Sequence, residues 1–104
     1  MENSRIYSMI GLAMRAGAVV LGEGKVSASI KNGMAKAVVL SADASENTKK
    51  KIRNSCSFYN VELVEIGDRF MLGKCTGREF AVSAAIINRE MAARIIELSR
   101  EQEL

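Results

Sequence analysis

The feature that most constrains the fold of this chain is an uncharged stretch that runs from Phe80 to Ile87. After Phe80, every side chain in it is small or β-branched, so neither face of a strand built from it would be polar. A strand of this kind is usually covered on both faces, as in sheets that lie between two layers of helices. We therefore predict a central strand near residues 80–87.

A short turn bracketed by two glycines precedes this strand, in the sequence Leu72-Gly-Lys-Cys-Thr-Gly77. Glycine adopts positive φ without a steric penalty, which makes such a turn easy to form. We expect the loop to display Lys74, Arg78 and Phe80 before the chain enters the sheet. Alternation into the apolar strand favours burial of Phe80, whereas an outward-facing ring would be free to stack on a base.

Helical and extended patterns alternate along the rest of the chain, which predicts an α/β fold with strands between helical layers. Apolar runs predict three further strands near 18–21, 37–41 and 61–66. In this interpretation, the link between the fourth helix and the last strand spans only a few residues. Such a short link allows the last strand to run antiparallel to the others. Capping signals and apolar periodicity predict five helices: from Asn3 or Ser4 to about Ala16, from Lys25 to Asn32, from Asp43 or Ser45 to about Phe58, from Arg69 to Lys74, and from Glu90 to Glu101.

The charge is distributed unevenly. Residues 1–60 carry nine Lys and Arg against four Asp and Glu, whereas residues 61–104 carry six against eight. A basic half joined to an acidic half favours an anion-binding side, with nucleic acid as the expected anion. The length of 104 residues suits one domain, residues 1–104, and the composition is that of an ordinary soluble protein.

The chain contains no histidine, the commonest general base and metal ligand, and only two cysteines. We therefore expect no enzymatic activity, no metal and no cofactor. A signal peptide and a membrane span are not evident, which favours the cytoplasm and reduced, unlinked Cys56 and Cys75. Lys74 lies beside Cys75 and can lower its thiol pKa, but a small residue packed beneath the loop is the favoured interpretation.

A second loop, Gly22-Glu-Gly24-Lys25, joins a predicted strand to the start of a helix. The free amides and the dipole at a helix N-terminus favour an anion. The same pattern also fits a plain strand-to-helix turn, since glycine turns are common. The lysine-rich surface of the third helix is likewise typical of a solvated face.

Three segments occur in the order and spacing of a known group: Gly22-Glu-Gly-Lys-Val-Ser27, Ser41-Ala-Asp-Ala-Ser-Glu-Asn-Thr-Lys-Lys-Lys-Ile52 and Leu72–Gly77. Together with Ile10-Gly-Leu-Ala-Met-Arg-Ala-Gly17, they resemble the ribosomal-protein family that binds kink-turn RNA, and within it a group of small bacterial proteins. The resemblance covers roughly residues 5–96. It implies a three-layer α/β/α sandwich with a four-stranded mixed sheet whose last strand is antiparallel.

The resemblance also implies that RNA binds at one end of the sheet, on the two glycine loops. RNA-binding members carry an Asn-Glu pair and, three residues later, a lysine where this chain has Gly24, Lys25 and Ala28. We therefore expect weaker base recognition here, with Lys25, Lys74 and Arg78 attracting phosphate. The residues that match the two loops are Gly22, Glu23, Gly24, Lys25, Ala28, Lys74, Thr76, Gly77, Arg78, Glu79 and Phe80.

Two hypotheses follow for the function. The first is a small, non-catalytic protein that binds structured RNA, with kink-turn-containing or ribosomal RNA as the expected partner. The second is an adapter that binds ribosomal or translation-associated proteins and has kept the scaffold but lost kink-turn recognition. The glycine loops and the positive end favour the first, and the altered base-reading positions favour the second.

Overall fold

The computed structural model describes residues 4–101, in which five helices alternate with four strands. None of the helices in this range is both long and apolar enough to span a membrane. In chain order, the elements are α1 Ser4–Arg15, β1 Val19–Leu21, α2 Glu23–Lys31, β2 Ala37–Ser41, α3 Glu46–Phe58, β3 Glu62–Ile66, α4 Arg69–Cys75, β4 Ser83–Ile86 and α5 Arg89–Glu101.

The four strands form one mixed sheet in the order β1-β4-β2-β3. β4 pairs antiparallel with both β1 and β2, whereas β2 and β3 are parallel. The last strand of the chain is therefore central and antiparallel, as predicted. All four residues of β4 are buried, which explains why its sequence is small and apolar on both faces.

The two faces of the sheet contribute to separate hydrophobic clusters. One face places Val39 and Ile86 against α1, α4 and α5, through residues such as Ile10 and Ile95. The other face places Val38, Leu40 and Ala85 in a second cluster with residues of α2 and α3. The three-layer α/β/α sandwich with a mixed sheet is thus confirmed.

The entry into β4 differs from the prediction. The strand begins at Ser83 instead of Phe80, and residues 76–82 form a longer link than the expected few residues. The Arg78–Phe80 segment is held by α4 instead of a neighbouring strand: the amide of Ala81 donates to the carbonyl of Arg69 at 2.9 Å. An uncharged sequence alone does not distinguish such a crossing from the strand that follows it.

The start of α3 is capped by Ser45, whose side chain accepts a hydrogen bond from the amide of Thr48. Of the two caps left open by the sequence, Asp43 is therefore not the one used. At the other end of α3, helical spacing from Ile52 and Cys56 predicts that Tyr59 faces inward, but its side chain is 41% exposed. It occupies the C-cap, where the backbone has left helical geometry, so helical spacing no longer sets the direction of its side chain. For α1, the Asn3 cap lies outside the described residues.

Candidate nucleic-acid interface

The first loop of the candidate site is the turn from β1 into α2 at Gly22. Gly22 has φ 96°, a conformation that favours glycine, and it precedes the first residue of the helix. Its carbonyl accepts the amide of Val26 at 2.8 Å, and no side chain caps the helix. The first amides of α2 are therefore not capped by a side chain and point to the end of the sheet, where an anion can bind them.

The second loop is built on the last carbonyls of α4. The Gly73 carbonyl accepts hydrogen bonds from the amides of Thr76 at 3.0 Å and Arg78 at 2.8 Å. The Thr76 hydroxyl donates to the Leu72 carbonyl at 2.8 Å, and the side chain is buried. Thr76 was a candidate for RNA contact, but its side chain holds the turn together from inside. Its effect on a ligand would act through the position of Arg78.

Gly73 lets the backbone of this loop cross directly over α4. A Cβ atom at Gly73 would lie 2.5 Å from the Cα atom of Phe80 and 2.9 Å from the carbonyl oxygen of Arg78. Real Cβ atoms do not approach other atoms so closely, so the crossing requires glycine. Gly73 therefore determines where Arg78 and Phe80 lie.

The two loops meet because β1 and β4 are neighbours in the sheet, with Leu21 opposite Ala84. Phe80 is 56% exposed, in contrast to the expected burial, because the crossing over Gly73 turns its side chain away from the core. Where the loops come together, they border a cleft of about 280 Å³. The cleft is lined by Leu21, Gly22, Glu23, Thr48, Arg78, Phe80, Ala81, Val82 and Ser83. The structure thus brings together Gly22 and Glu23 with Arg78 and Phe80.

Arg78 is exposed and lines this cleft, whereas Lys25 is exposed in the first turn of α2 without lining the cleft. Neither takes part in an ion pair within residues 4–101. Glu23, in contrast, forms an ion pair, because its carboxylate lies 3.2 Å from the ammonium group of Lys51. The charge of Lys51 offsets the negative charge of Glu23. Gly77 and Glu79 are also exposed in the loop.

Lys74 lies elsewhere. It lines a groove between α1 and α4, together with Leu12, Arg15 and Met71, on the opposite side of the sheet from α2. Cys75 lines the same groove, and burial raises the pKa of its thiol to about 11. The thiol is therefore protonated near neutral pH, which supports the interpretation of Cys75 as a packing residue and not a reactive one.

Gly24 and Ala28 face a second groove, between α2 and α3, which we call the α2–α3 groove. Its volume is about 840 Å³, and Glu23 lines both this groove and the cleft. The α2–α3 groove is lined by Glu23, Gly24, Ser27, Ala28, Lys31, Lys51, Ile52, Asn54, Ser55, Phe58 and Tyr59.

Two residues at this end of the sheet, Thr48 and Asp43, were not among those predicted to contribute to the RNA site. Thr48 lines the cleft from the first turns of α3, and its position inside the Ser41–Ile52 segment was the available signal. Asp43 accepts hydrogen bonds from the Arg69 amide at 3.1 Å and from the Arg69 Nε at 3.3 Å. These bonds tie the turn after β2 to the start of α4, and no local pattern indicates a partner so distant in the sequence.

Comparison with known proteins identifies relatives named as RNA-binding and ribosomal proteins. The chain is 38% identical over 98 residues to the RNA-binding protein YlxQ of Bacillus subtilis (strain 168). The matched region covers 94% of this chain and 98% of the relative. It is 40% identical to the RNA-binding protein YlxQ of Enterococcus faecium, over 84% of each chain. It is also 30% identical to the large ribosomal subunit protein eL30 of Archaeoglobus fulgidus, over 85% of this chain and 99% of the relative.

Solved structures share the fold. A Bacillus halodurans C protein with unknown function superposes with a TM-score of 0.91 at 31% identity, covering 93% of this chain and 98% of the other. A Giardia lamblia 15.5kD RNA binding protein has a TM-score of 0.80 at 18% identity, over 98% of this chain and 88% of the other, which shows the fold alone. The family model matches residues 4–97, and the chain belongs to the ribosomal protein L7Ae/L30e/S12e/Gadd45 family.

Proposed function

We propose that this chain is a non-catalytic, cytoplasmic protein that binds structured RNA, including ribosomal RNA, at the end of the sheet formed by its two glycine loops. The observation that carries the proposal is the shared cleft, in which Gly22 and Glu23 at the start of α2 lie opposite Arg78 and Phe80. Membership of a family with RNA-binding and ribosomal relatives supports it.

The chemistry of the cleft suits a nucleic acid. Uncapped amides at the N-terminus of α2 and the guanidinium group of Arg78 are donors for phosphate oxygens. The exposed ring of Phe80 provides a surface on which an unpaired base can stack. These groups recognise the backbone and the faces of bases, and neither kind of contact reads a base edge.

Kink-turn recognition should accordingly be weak. Gly24 and Ala28 have no side-chain donors or acceptors, and Lys25 has no acceptor, so they cannot make the base-edge contacts that the family resemblance implies. Each good bidentate contact is worth about 1–3 kcal/mol of discrimination on protein–DNA precedent. Binding should therefore depend mainly on phosphate contacts, whose affinity falls as salt rises.

The test is a titration of a kink-turn RNA and a plain RNA duplex between about 50 and 200 mM salt. We expect similar affinities and similar salt slopes for the two RNAs. Arg78→Ala should weaken both by a similar factor and reduce the salt slope by about 1. Arg94→Ala is the matched control, because Arg94 lies on α5 and is paired with Glu97. A kink-turn preference of several orders of magnitude at high salt would show that Gly24 and Lys25 form a working variant of the motif.

The adapter hypothesis is favoured by a different surface, the groove between α1 and α4. Leu12 and Met71 line it and are 49% and 42% exposed, and Arg15 and Lys74 add positive charge. A protein partner bound there would lose affinity in a Met71→Glu variant, whereas RNA affinity should stay within about twofold since the groove is separate from the cleft. Loss of RNA binding in that variant would argue against a separate protein surface.

A further inference from the structure

The α2–α3 groove has a floor of small and polar side chains. Gly24, Ser27 and Ala28 contribute from α2, and Asn54 and Ser55 contribute from α3. Exposed large apolar side chains occur only at its far end, where Phe58 and Tyr59 lie, since Ile52, which also lines the groove, is buried. A surface that docks a protein helix needs several apolar anchors along its length, and this groove does not supply them within the described residues.

The groove begins at the candidate RNA site. Glu23 lines both the cleft and the groove, so the two are adjacent. Along α3, the distance from Thr48 at the cleft to Phe58 at the far end is ten residues, or about 15 Å at 1.5 Å per residue. At ~3.4 Å per nucleotide of a stacked strand, about four nucleotides span this distance.

The far end of the groove combines an exposed aromatic ring with a positive charge. Phe58 is 78% exposed, the largest exposure of any large hydrophobic side chain in residues 4–101. The Tyr59 ring packs against it edge to face, with ring centroids 4.9 Å apart and an interplanar angle of 75°. Tyr59 thereby supports the Phe58 ring, which stays open to solvent. Lys31 lines the same groove and forms no ion pair with any other described residue.

We propose that the α2–α3 groove binds a single-stranded RNA segment adjoining the structured element, with one base stacked on Phe58 and its phosphates near Lys31. Exposed aromatic rings beside a positive groove are the common design of sites for single strands. The proposal rests on the proposed function, because the structured element must first occupy the cleft at Gly22 and Arg78.

The experiment uses a kink-turn hairpin RNA, either blunt or with about six unpaired uridines at one end or the other. One of the extended RNAs should bind more tightly than the blunt RNA. Phe58→Ala should remove this advantage and weaken the extended RNA by about 5- to 150-fold, the loss for one stacked base, while leaving blunt-RNA affinity unchanged. Phe58→Tyr should keep the advantage, and Phe58→Leu, which keeps apolar area but no π face, should lose it.

Phe70→Ala is the matched control, because Phe70 is 63% exposed but lies on α4, on the opposite side of the sheet. A 4-thiouridine in the extension should photocrosslink to the tryptic peptide 54–69, which contains Phe58. Equal binding of blunt and extended RNAs, or a Phe58→Leu variant that behaves like the wild type, would overturn the proposal while leaving the cleft site standing. Failure of the wild type to bind any of these RNAs would instead remove the proposed function and this inference with it.

Discussion

Replacing Gly73 by alanine tests the most specific packing constraint in the molecule. Gly73 lies inside α4, so alanine gains about 1 kcal/mol of helix propensity. The new Cβ atom would lie 2.5 Å from the Cα atom and 2.7 Å from the amide nitrogen of Phe80. Carbon atoms pack at about 3.5–4.0 Å, so the loop must move by about 1 Å.

These opposing effects determine whether Gly73→Ala raises or lowers the free energy of unfolding. Overpacking costs about 1–3 kcal/mol, and loss of the 2.8 Å hydrogen bond from the Arg78 amide to the Gly73 carbonyl costs about 1 kcal/mol more. After the helical gain is subtracted, Gly73→Ala should destabilise the fold by about 1–3 kcal/mol. Urea unfolding followed by circular dichroism measures this change, and the melting temperature should fall by at least about 4 °C.

Gly11→Ala is the matched control for Gly73→Ala. Gly11 lies inside α1, and its Cβ would meet only ordinary contacts, 3.5 Å from the Cys75 carbonyl oxygen and 3.8 Å from Arg15. It should gain up to about 1 kcal/mol from helix propensity. A Gly73→Ala variant that is as stable as Gly11→Ala would refute the claim that the crossing over α4 requires glycine.

Three further predictions concern ionisation and capping. Two hydrogen bonds from Arg53, at 2.6 and 2.7 Å, hold the pKa of Glu65 below its ordinary value. Their contribution to stability is present above the unfolded pKa of about 4.3 and is lost as pH falls through the lower folded pKa. Glu65→Gln should therefore reduce stability at pH 7, and by progressively less as the pH of the denaturant titration falls below about 4. Burial raises the thiol pKa of Cys56 and Cys75 to about 11 each. Iodoacetamide at pH 8 should therefore label both thiols slowly in the native protein and rapidly in urea, as measured by mass spectrometry. Rapid labelling of the native protein would contradict the burial of the thiols. Ser45→Ala should cost about 1 kcal/mol in the same unfolding assay, and an unchanged stability would mean that its side chain does not cap α3.

The sheet could be predicted from the sequence where periodicity is strong. The stretch from Phe80 to Ile87 is uncharged on both faces, and that pattern identified β4 as a covered, central strand. Its first residue could not be predicted, because the crossing over Gly73 depends on a contact between chain segments and not on local pattern. The same contact exposes Phe80, against the expectation from alternation.

The candidate site was only partly visible in the sequence. Glycine spacing identified both loops, and the charges of Lys25 and Arg78 indicated an anion-binding end. Which charges lie together depends on strand order and on the direction each helix faces, and sequence patterns give neither. Lys74 therefore falls on the α1 side of the sheet although it is only four residues from Arg78.

The position of β4 has a consequence for how the protein acquires its binding surface during synthesis. Within residues 4–101, β1 pairs only with β4, so Val19 cannot join the sheet until Ile86 has left the ribosome. Pairing across such a long stretch of chain is slow compared with the β2–β3 pairing, which joins consecutive strands. The cleft needs both loops in place, so it is completed in the last stage of folding. A nascent chain that has not reached β4 cannot yet hold the Gly22 turn beside Arg78, so newly made protein gains the proposed RNA-binding cleft only when all four strands have paired.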